Sequence, residues 1–269
     1  MSTTVRLNDG REMPLLGLGT WKMSDEDAPA LVRTAIDAGY RLIDTAALYR
    51  NERGVGRGVA GAEGVWITTK VWNSEHGAAK TRHAAKDSLD RLGVEAIDLY
   101  LIHWPAPRAD LYVETWETLI EMREKRLLRS IGVSNFTIDH LERIGRETGV
   151  VPAVNQIELH PAFQQRELAA YHREKGIVTQ SWSPLGQGAL LRSAEIVQLA
   201  ERRGCSPAQL IIAWHLEQGY SVIPKSGDPE RMRANFAAAQ IRLDEEEITA
   251  IAALDDPNGR TGFDPMQFE

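Results

Sequence analysis

The chain has 269 residues, 43% of them hydrophobic and 26% charged, with a formal net charge of −7 and a single cysteine. A core of this size needs no cross-links, and Cys205 alone can form neither an internal disulfide nor a cysteine-based zinc cluster. The negative balance, with no long basic run, disfavours nucleic acid as a partner, and no stretch is apolar enough to span a membrane.

The N-terminus, Met1-Ser2-Thr3-Thr4-Val5-Arg6, lacks the basic-then-apolar order of a signal peptide, which points to a cytoplasmic protein. Asn8-Asp9-Gly10 then separates two short extended pieces, a hairpin signal because glycine supplies the positive φ of such turns. Beyond it the chain alternates. Strands are expected at 15–19, 41–44, 65–70, 97–103, 130–134, 153–158, 178–182 and 221–224. Helices are expected at 25–38, 51–59, 78–92, 113–125, 138–148, 165–175, 207–218 and 229–237, with two further helices at 194–203 and 244–254.

A strand such as Ile97-Asp98-Leu99-Tyr100-Leu101-Ile102 is too apolar to leave one face in water, which is the character of parallel strands covered by helices. The fold class is therefore α/β, a (β/α)8 TIM barrel with an N-terminal β-hairpin and two extra helices. No linker interrupts it, so residues 1–269 are expected to form one domain. An open doubly wound sheet is the alternative, because Gly17-Leu18-Gly19 faintly resembles a dinucleotide fingerprint. The third glycine is missing, and a tight turn at the barrel mouth is the better reading.

Barrel enzymes carry their chemistry at the C-terminal strand ends. Here those ends deliver Asp44 with Tyr49 in the following loop, then Lys70, His103, Ser134-Asn135, Gln156 and Trp182. Taken singly, the acid reads as a turn residue, the lysine as a solvated cation and the histidine as a structural ring. Their convergence on one mouth changes the reading. A lysine beside a phenol is expected to lower the tyrosine pKa, and an aspartate offsets the cost of drying the ammonium. Tyr49 could then donate a proton to a developing alkoxide while an imidazole orients the oxygen. The set suits reduction of a carbonyl.

These stretches resemble the aldo-keto reductase family. The matching motifs are Gly17-Leu18-Gly19-Thr20-Trp21, Ile43-Asp44-Thr45-Ala46 with Tyr49 and Asn51-Glu52, Thr69-Lys70-Val71-Trp72 and Asp98-Leu99-Tyr100-Leu101-Ile102-His103-Trp104-Pro105. Gly132-Val133-Ser134-Asn135-Phe136, Asn155-Gln156-Ile157-Glu158 and Ile223-Pro224-Lys225-Ser226 complete the series. The resemblance implies a catalytic tetrad of Asp44, Tyr49, Lys70 and His103, and NADPH extended across the mouth. It implies cofactor contacts from Gly19, Thr20, Trp21, Ser134, Asn135, Gln156, Trp182, Ser183 and Leu185. Ser134, Asn135 and Gln156 would hold the nicotinamide carboxamide, and Trp182 would stack on the ring where the family usually has tyrosine.

Lys225, Ser226 and Arg231 resemble the adenosine 2′-phosphate site and Asn235 the adenine contact. Ala234, where the family commonly has an acid or amide, removes one such contact. Trp21, Trp72 and Trp104 follow strand ends and are expected to line the substrate pocket together with Tyr49 and His103, whereas Trp66, Trp116 and Trp214 fall inside elements. Glu158 and His160 alternate as metal ligands would, but no third ligand accompanies them, so a structural hydrogen bond is expected and no metal. The expected function is NADPH-dependent reduction of an aldehyde or ketone by a cytoplasmic monomer. The alternative is an NADP(H)-binding sensor without turnover. The short tail, residues 256–269, suggests an open pocket like that of the compact bacterial reductases of diketo-sugar acids, α-diketones and small aldehydes.

Overall fold

In the computed structural model, residues 3–268 are described; Met1 and Ser2 of the N-terminal stretch, and Glu269, lie outside them. Strands β1 (Thr4–Arg6) and β2 (Glu12–Pro14) pair antiparallel around a turn in which Gly10 has φ +87°. The hairpin buries Leu7 and Met13 against Leu42, Leu99, Leu101, Val154 and Ile223, side chains of the barrel strands and the segment following the last of them. It plugs the barrel at the end opposite the candidate site.

Eight strand–helix units follow. They are β3 (Leu18–Gly19) with α1 (Ala28–Asp37), β4 (Leu42–Asp44) with α2 (Glu52–Val59), β5 (Trp66–Val71) with α3 (Ala78–Leu92), and β6 (Ile97–Ile102) with α4 (Tyr112–Glu124). Next come β7 (Leu128–Ser134) with α5 (Ile138–Thr148), β8 (Val154–Glu158) with α6 (Arg166–Lys175), β9 (Val178–Trp182) with the extra helix α7 (Ala194–Arg203) and α8 (Pro207–Glu217), and β10 (Ser221–Val222) with α9 (Pro229–Ala237). A second extra helix, α10 (Glu245–Ala252), packs on α7, where Arg203 bonds both Asp244 and Glu247 at its capped start. The strands from β3 to β10 lie in chain order, all parallel, and every residue of β5 and β6 is buried. Two-sided burial explains why β6 is apolar at every position but Asp98.

The ring closes between its first and last strands through parallel bridges at Leu16–Val222 and Gly19–Lys225. The Gly17 amide donates to the Val222 carbonyl at 2.9 Å, and Val222 donates to Leu15 at 2.7 Å. Residues 15–17 therefore serve the seam, and the regular part of β3 is shorter than the expected strand. The two glycines also prove different from the expected turn. A Cβ on Gly17 would lie 2.6 Å from Leu42 Cγ, and one on Gly19 would lie 2.8 Å from the Ile223 carbonyl oxygen. Gly19 is glycine because backbones approach closely across the seam, and Gly17 because the Leu42 side chain of β4 fills the space a Cβ would need. Gly19→Ala is expected to cost about 1–3 kcal/mol by forcing the seam apart, seen as a lowered Tm. An unchanged Tm would show that the seam has slack.

Three histidines stand inside this frame as neutral rings. His172 lies within 2.9 Å of both Asn155 Nδ2 and Thr179 Oγ1, and burial lowers its pKa to about 3. Burial also lowers His76 to about 4 and His215 to about 3. Unfolded, each would bind a proton near its ordinary 6.5, so below that pH the unfolded state holds more protons and stability rises with pH. This stabilising contribution is complete above 6.5 and is lost as the pH falls towards about 4 and then about 3. Thermal melts are therefore expected to show Tm dropping steeply from about pH 6 to about pH 4. A flat profile there would mean that these rings are not buried neutral.

Candidate active site

The site is built where β4, β5 and β6 end. Asp44 is the last residue of β4 and lies beside Thr68 of β5 in the register. Lys70, two residues further along β5 on the same face, reaches back so that Nζ is 2.7 Å from Asp44 Oδ2 and 2.8 Å from the Thr45 carbonyl. Both side chains are shut off from water. Asp44 Oδ1 is taken by Gln156 Nε2 from β8, at 2.7 Å across the barrel. The same nitrogen reaches Gln180 Oε1 at 2.6 Å, and Gln180 Nε2 reaches Ser221 Oγ at 3.0 Å. A polar chain thus crosses β8, β9 and β10 and holds the carboxylate from behind.

Tyr49 sits on a single 3-10 turn, Ala47–Tyr49, closed by Arg50 at φ +58°. The turn is fixed by Asn51, which accepts from Thr45 Oγ1 at 2.6 Å and donates to the Thr20 and Met23 carbonyls. The Lys70 ammonium lies 5.2 Å from the centre of the Tyr49 ring. His103 follows β6, its amide bonded to the Val71 carbonyl at 3.1 Å, and its ring meets the Tyr49 ring edge-on at 5.7 Å. The four residues named from the sequence are brought together.

Their electrostatics differ from the expectation in one respect. The Tyr49 hydroxyl is held well above its ordinary value, first by burial and then by the Asp44 charge. The expected lowering by Lys70 does not prevail, because the ammonium is committed to Asp44 and the Thr45 carbonyl. Burial, with the Asp44 charge added to it, controls the phenol. Burial pushes Asp44 up and Lys70 down, and the contact between them opposes both shifts. His103 is held well below 6.5 by burial, then by Lys70 and His76, so it is a neutral imidazole. Tyr49 is accordingly a protonated phenol beside a neutral ring at any working pH.

Aromatic side chains surround this centre. Trp21 packs on Tyr49 at 4.7 Å, Trp72 on His103 at 5.1 Å, and Trp104 on Trp182 at 6.5 Å. Trp21 is 48% exposed at the rim, whereas Trp66, Trp116 and Trp214 are buried in their elements. The tail differs from the open pocket its length suggested: Phe268 lies 4.5 Å from Trp104 and 6.0 Å from Trp72, across the mouth.

The residues marked for the cofactor fall in two groups. Around the mouth, Ser134 Oγ donates to the Gln156 carbonyl at 2.8 Å. Asn135, at φ +64°, donates to the His103 carbonyl and Ser134 Oγ and accepts from Trp182 Nε1 at 2.8 Å. The half-buried indole of Trp182 is thereby locked beside the centre. Ser183, at φ +48°, and Leu185 continue the loop beyond it. Thr20 is buried, with its amide and hydroxyl both on the Asp44 carbonyl.

Further out, Lys225 is bridged to Gly19, which links the second group to the rim. Ser226 Oγ bonds with the Asp228 backbone, Asp228 caps α9, and Arg231 and Asn235 stand one turn apart on that helix. Lys225 and Arg231 are exposed and Asn235 is buried. Outside either group, Glu158 and His160 meet at 3.3 Å as the expected structural contact. Gln180 and Phe268 were not marked from the sequence. A glutamine in a buried strand, two residues before Trp182, signals the first; no local pattern signals the second.

Fold and site together define an oxidoreductase built on a barrel. The chain belongs to the aldo/keto reductase family, whose model matches residues 15–256. It is 48% identical to the methylglyoxal reductase DkgA of Escherichia coli K12, with 99% of this chain and 98% of that protein covered. It is 47% identical to an aldo-keto reductase of Mycolicibacterium smegmatis, covering 100% of this chain and 98% of the relative. Among solved structures, a variant of Gox0644 in complex with NADPH superposes with a TM-score of 0.98 at 45% identity, covering 100% of this chain and 99% of that one. Gox0644 without ligand gives 0.97 at 46% identity over 98% of both chains.

Proposed function

We propose that this chain uses NADPH to reduce small aldehydes and α-dicarbonyls, methylglyoxal among them. The observation that carries the reading is a protonated Tyr49 set between the buried Asp44–Lys70 pair and a neutral His103 at an aromatic mouth. The cofactor's fit rests on the groups beside that mouth. Trp182 offers an indole face fixed by Asn135, and an amide oxygen such as that of Asn135 can accept a second hydrogen bond, as a carboxamide would offer. At the other end Lys225 and Arg231 present exposed cations beside Ser226, suited to a phosphomonoester, with Asn235 for the adenine. Gly19, Thr20 and Trp21 form the rim between the two ends, and Ser134, Gln156, Ser183 and Leu185 support the Trp182 end.

Bound NADPH supplies the hydride. The chain's own residues manage the proton and the oxygen. His103 holds the carbonyl oxygen within reach of the phenol, and Tyr49 gives its proton to the oxygen as negative charge builds there. An alkoxide is a far stronger base than a phenolate, so the transfer runs downhill even from a raised tyrosine pKa. Lys70 stabilises the phenolate left behind, and Asp44 keeps Lys70 charged and aimed. Trp21, Trp72 and Trp104 close around the apolar part of the substrate and exclude water.

The family resemblance extends the reading to a cytoplasmic monomer made of one domain over residues 1–269. The test is NADPH oxidation, followed by absorbance, against a panel of methylglyoxal, other α-diketones, small aldehydes and keto acids. Turnover of the small dicarbonyls is expected. Tight NADPH binding with no turnover of any member would replace this reading with the sensor.

A further inference from the structure

Glu158 ends β8 two residues after Gln156, so strand alternation turns both side chains to the same side. Gln156 uses that position to hold Asp44. Glu158 uses it differently. Its carboxylate is fully buried and, among the described residues, pairs with no arginine or lysine; it accepts from Thr261 N at 2.7 Å, Thr261 Oγ1 at 2.5 Å, Gly262 N at 3.0 Å and His160 Nε2 at 3.3 Å. Burial works to raise this carboxyl, and the bonds from His160, Thr261 and Gly262 outweigh it and leave it below its ordinary value. A buried carboxylate spent on the backbone of one exposed segment is costly unless that segment's position matters.

The segment is the C-terminal strap. It leaves α10 with Asp255 held by the Gln164 amide at 2.8 Å and by Arg166 at 2.9 Å. Gly259 passes so close to the Ala162 carbonyl that a Cβ would stand 1.9 Å from its oxygen. At Gly262 a Cβ would stand 2.5 Å from Trp182 Cη2, so the strap backbone rests on the outer edge of the indole. Gln187, from the loop after β9, reaches Thr261 Oγ1 at 3.1 Å. The strap then turns back over Asp264 and sets Phe268 against Trp104 and Trp72, stacked on Phe263.

We propose that Glu158 is a positioning residue: by gripping Thr261 and Gly262 it seats the strap on Trp182 and thereby places Phe268 as the last wall of the substrate mouth. This rests on the reading of that mouth as the carbonyl site. Substrate affinity for small carbonyls then depends on a carboxylate that touches neither substrate nor cofactor.

Glu158→Gln tests it with little change of shape, because the amide turns an acceptor that faces backbone N–H groups into a donor. Hydrogen exchange read by mass spectrometry should show the strap amides, Thr261 and Gly262 included, exchanging about tenfold faster than in the wild type. The KM for methylglyoxal should rise about fivefold, the worth of one aromatic wall, with kcat within about twofold. Gly262→Ala should give the same pair of changes from the strap side, and it serves if Glu158→Gln does not fold.

In the full-length Phe268→Ala variant KM should already be raised, and adding Glu158→Gln should change it no further. Strap amides that stay protected in both variants would overturn the proposal. So would an equal rise in KM when Glu158→Gln is placed in the Phe268→Ala chain, because the carboxylate would then act other than through Phe268. The exchange readout needs no turnover, so a wild-type chain that failed to oxidise NADPH would sink the functional reading and leave this test intact.

Discussion

Tyr49→Phe is expected to lower kcat for small aldehydes about a thousandfold while NADPH binding stays within about twofold. The substitution removes one hydroxyl and keeps the ring, so the packing of Trp21 at 4.7 Å and of His103 at 5.7 Å is retained. What is lost is the proton. His103 is a poor substitute donor, because its neutral ring would have to surrender its only N–H proton. The Lys70 ammonium lies 5.2 Å from the centre of the Tyr49 ring, close enough to stabilise the phenolate that transfer leaves. Stopped-flow turnover with a fluorescence titration of NADPH separates the two quantities. Undiminished turnover would move the donor to another group and leave the Asp44–Lys70 pair without a catalytic purpose.

Lys70→Met is expected to cost about 3–5 kcal/mol of stability in denaturant titrations and to abolish activity. The loss does not reflect the net worth of the ion pair. It follows from leaving the Asp44 carboxylate buried with Gln156 as its remaining side-chain partner. The double variant Asp44→Asn with Lys70→Met should therefore be clearly more stable than Lys70→Met alone, while remaining inactive. If Lys70→Met melted like the wild type, water would have to reach Asp44, and the dry character of the centre would be wrong.

Each strand-end residue could be read directly from the chain. Asp44 and His103 each close an apolar run, Lys70 and Gln156 stand within two residues of a strand's end, and barrel topology gathers such ends at one mouth. The helices were equally legible, since their caps are local: Gly93, Gly149, Gly176 and Gly204 end α3, α5, α6 and α7 in the left-handed region. The seam was not. Gly17 and Gly19 look like turn residues until β10, about two hundred residues later, is placed against them. The bond from Gln156 to Asp44 spans 112 positions, and no local pattern announces it.

What the amino-acid order determined by itself is therefore the set of elements, their parallel sequence, and which polar groups stand at the strand ends, because periodicity, capping and burial of apolar runs are short-range properties. What only the tertiary structure decided is how those groups act on one another. Tyr49 keeps its proton because it is buried and stands in the field of Asp44, a balance that depends on distances of a few ångströms. The tail closes the mouth because Glu158, more than a hundred residues earlier, holds Thr261 and Gly262 where Phe268 can reach Trp104.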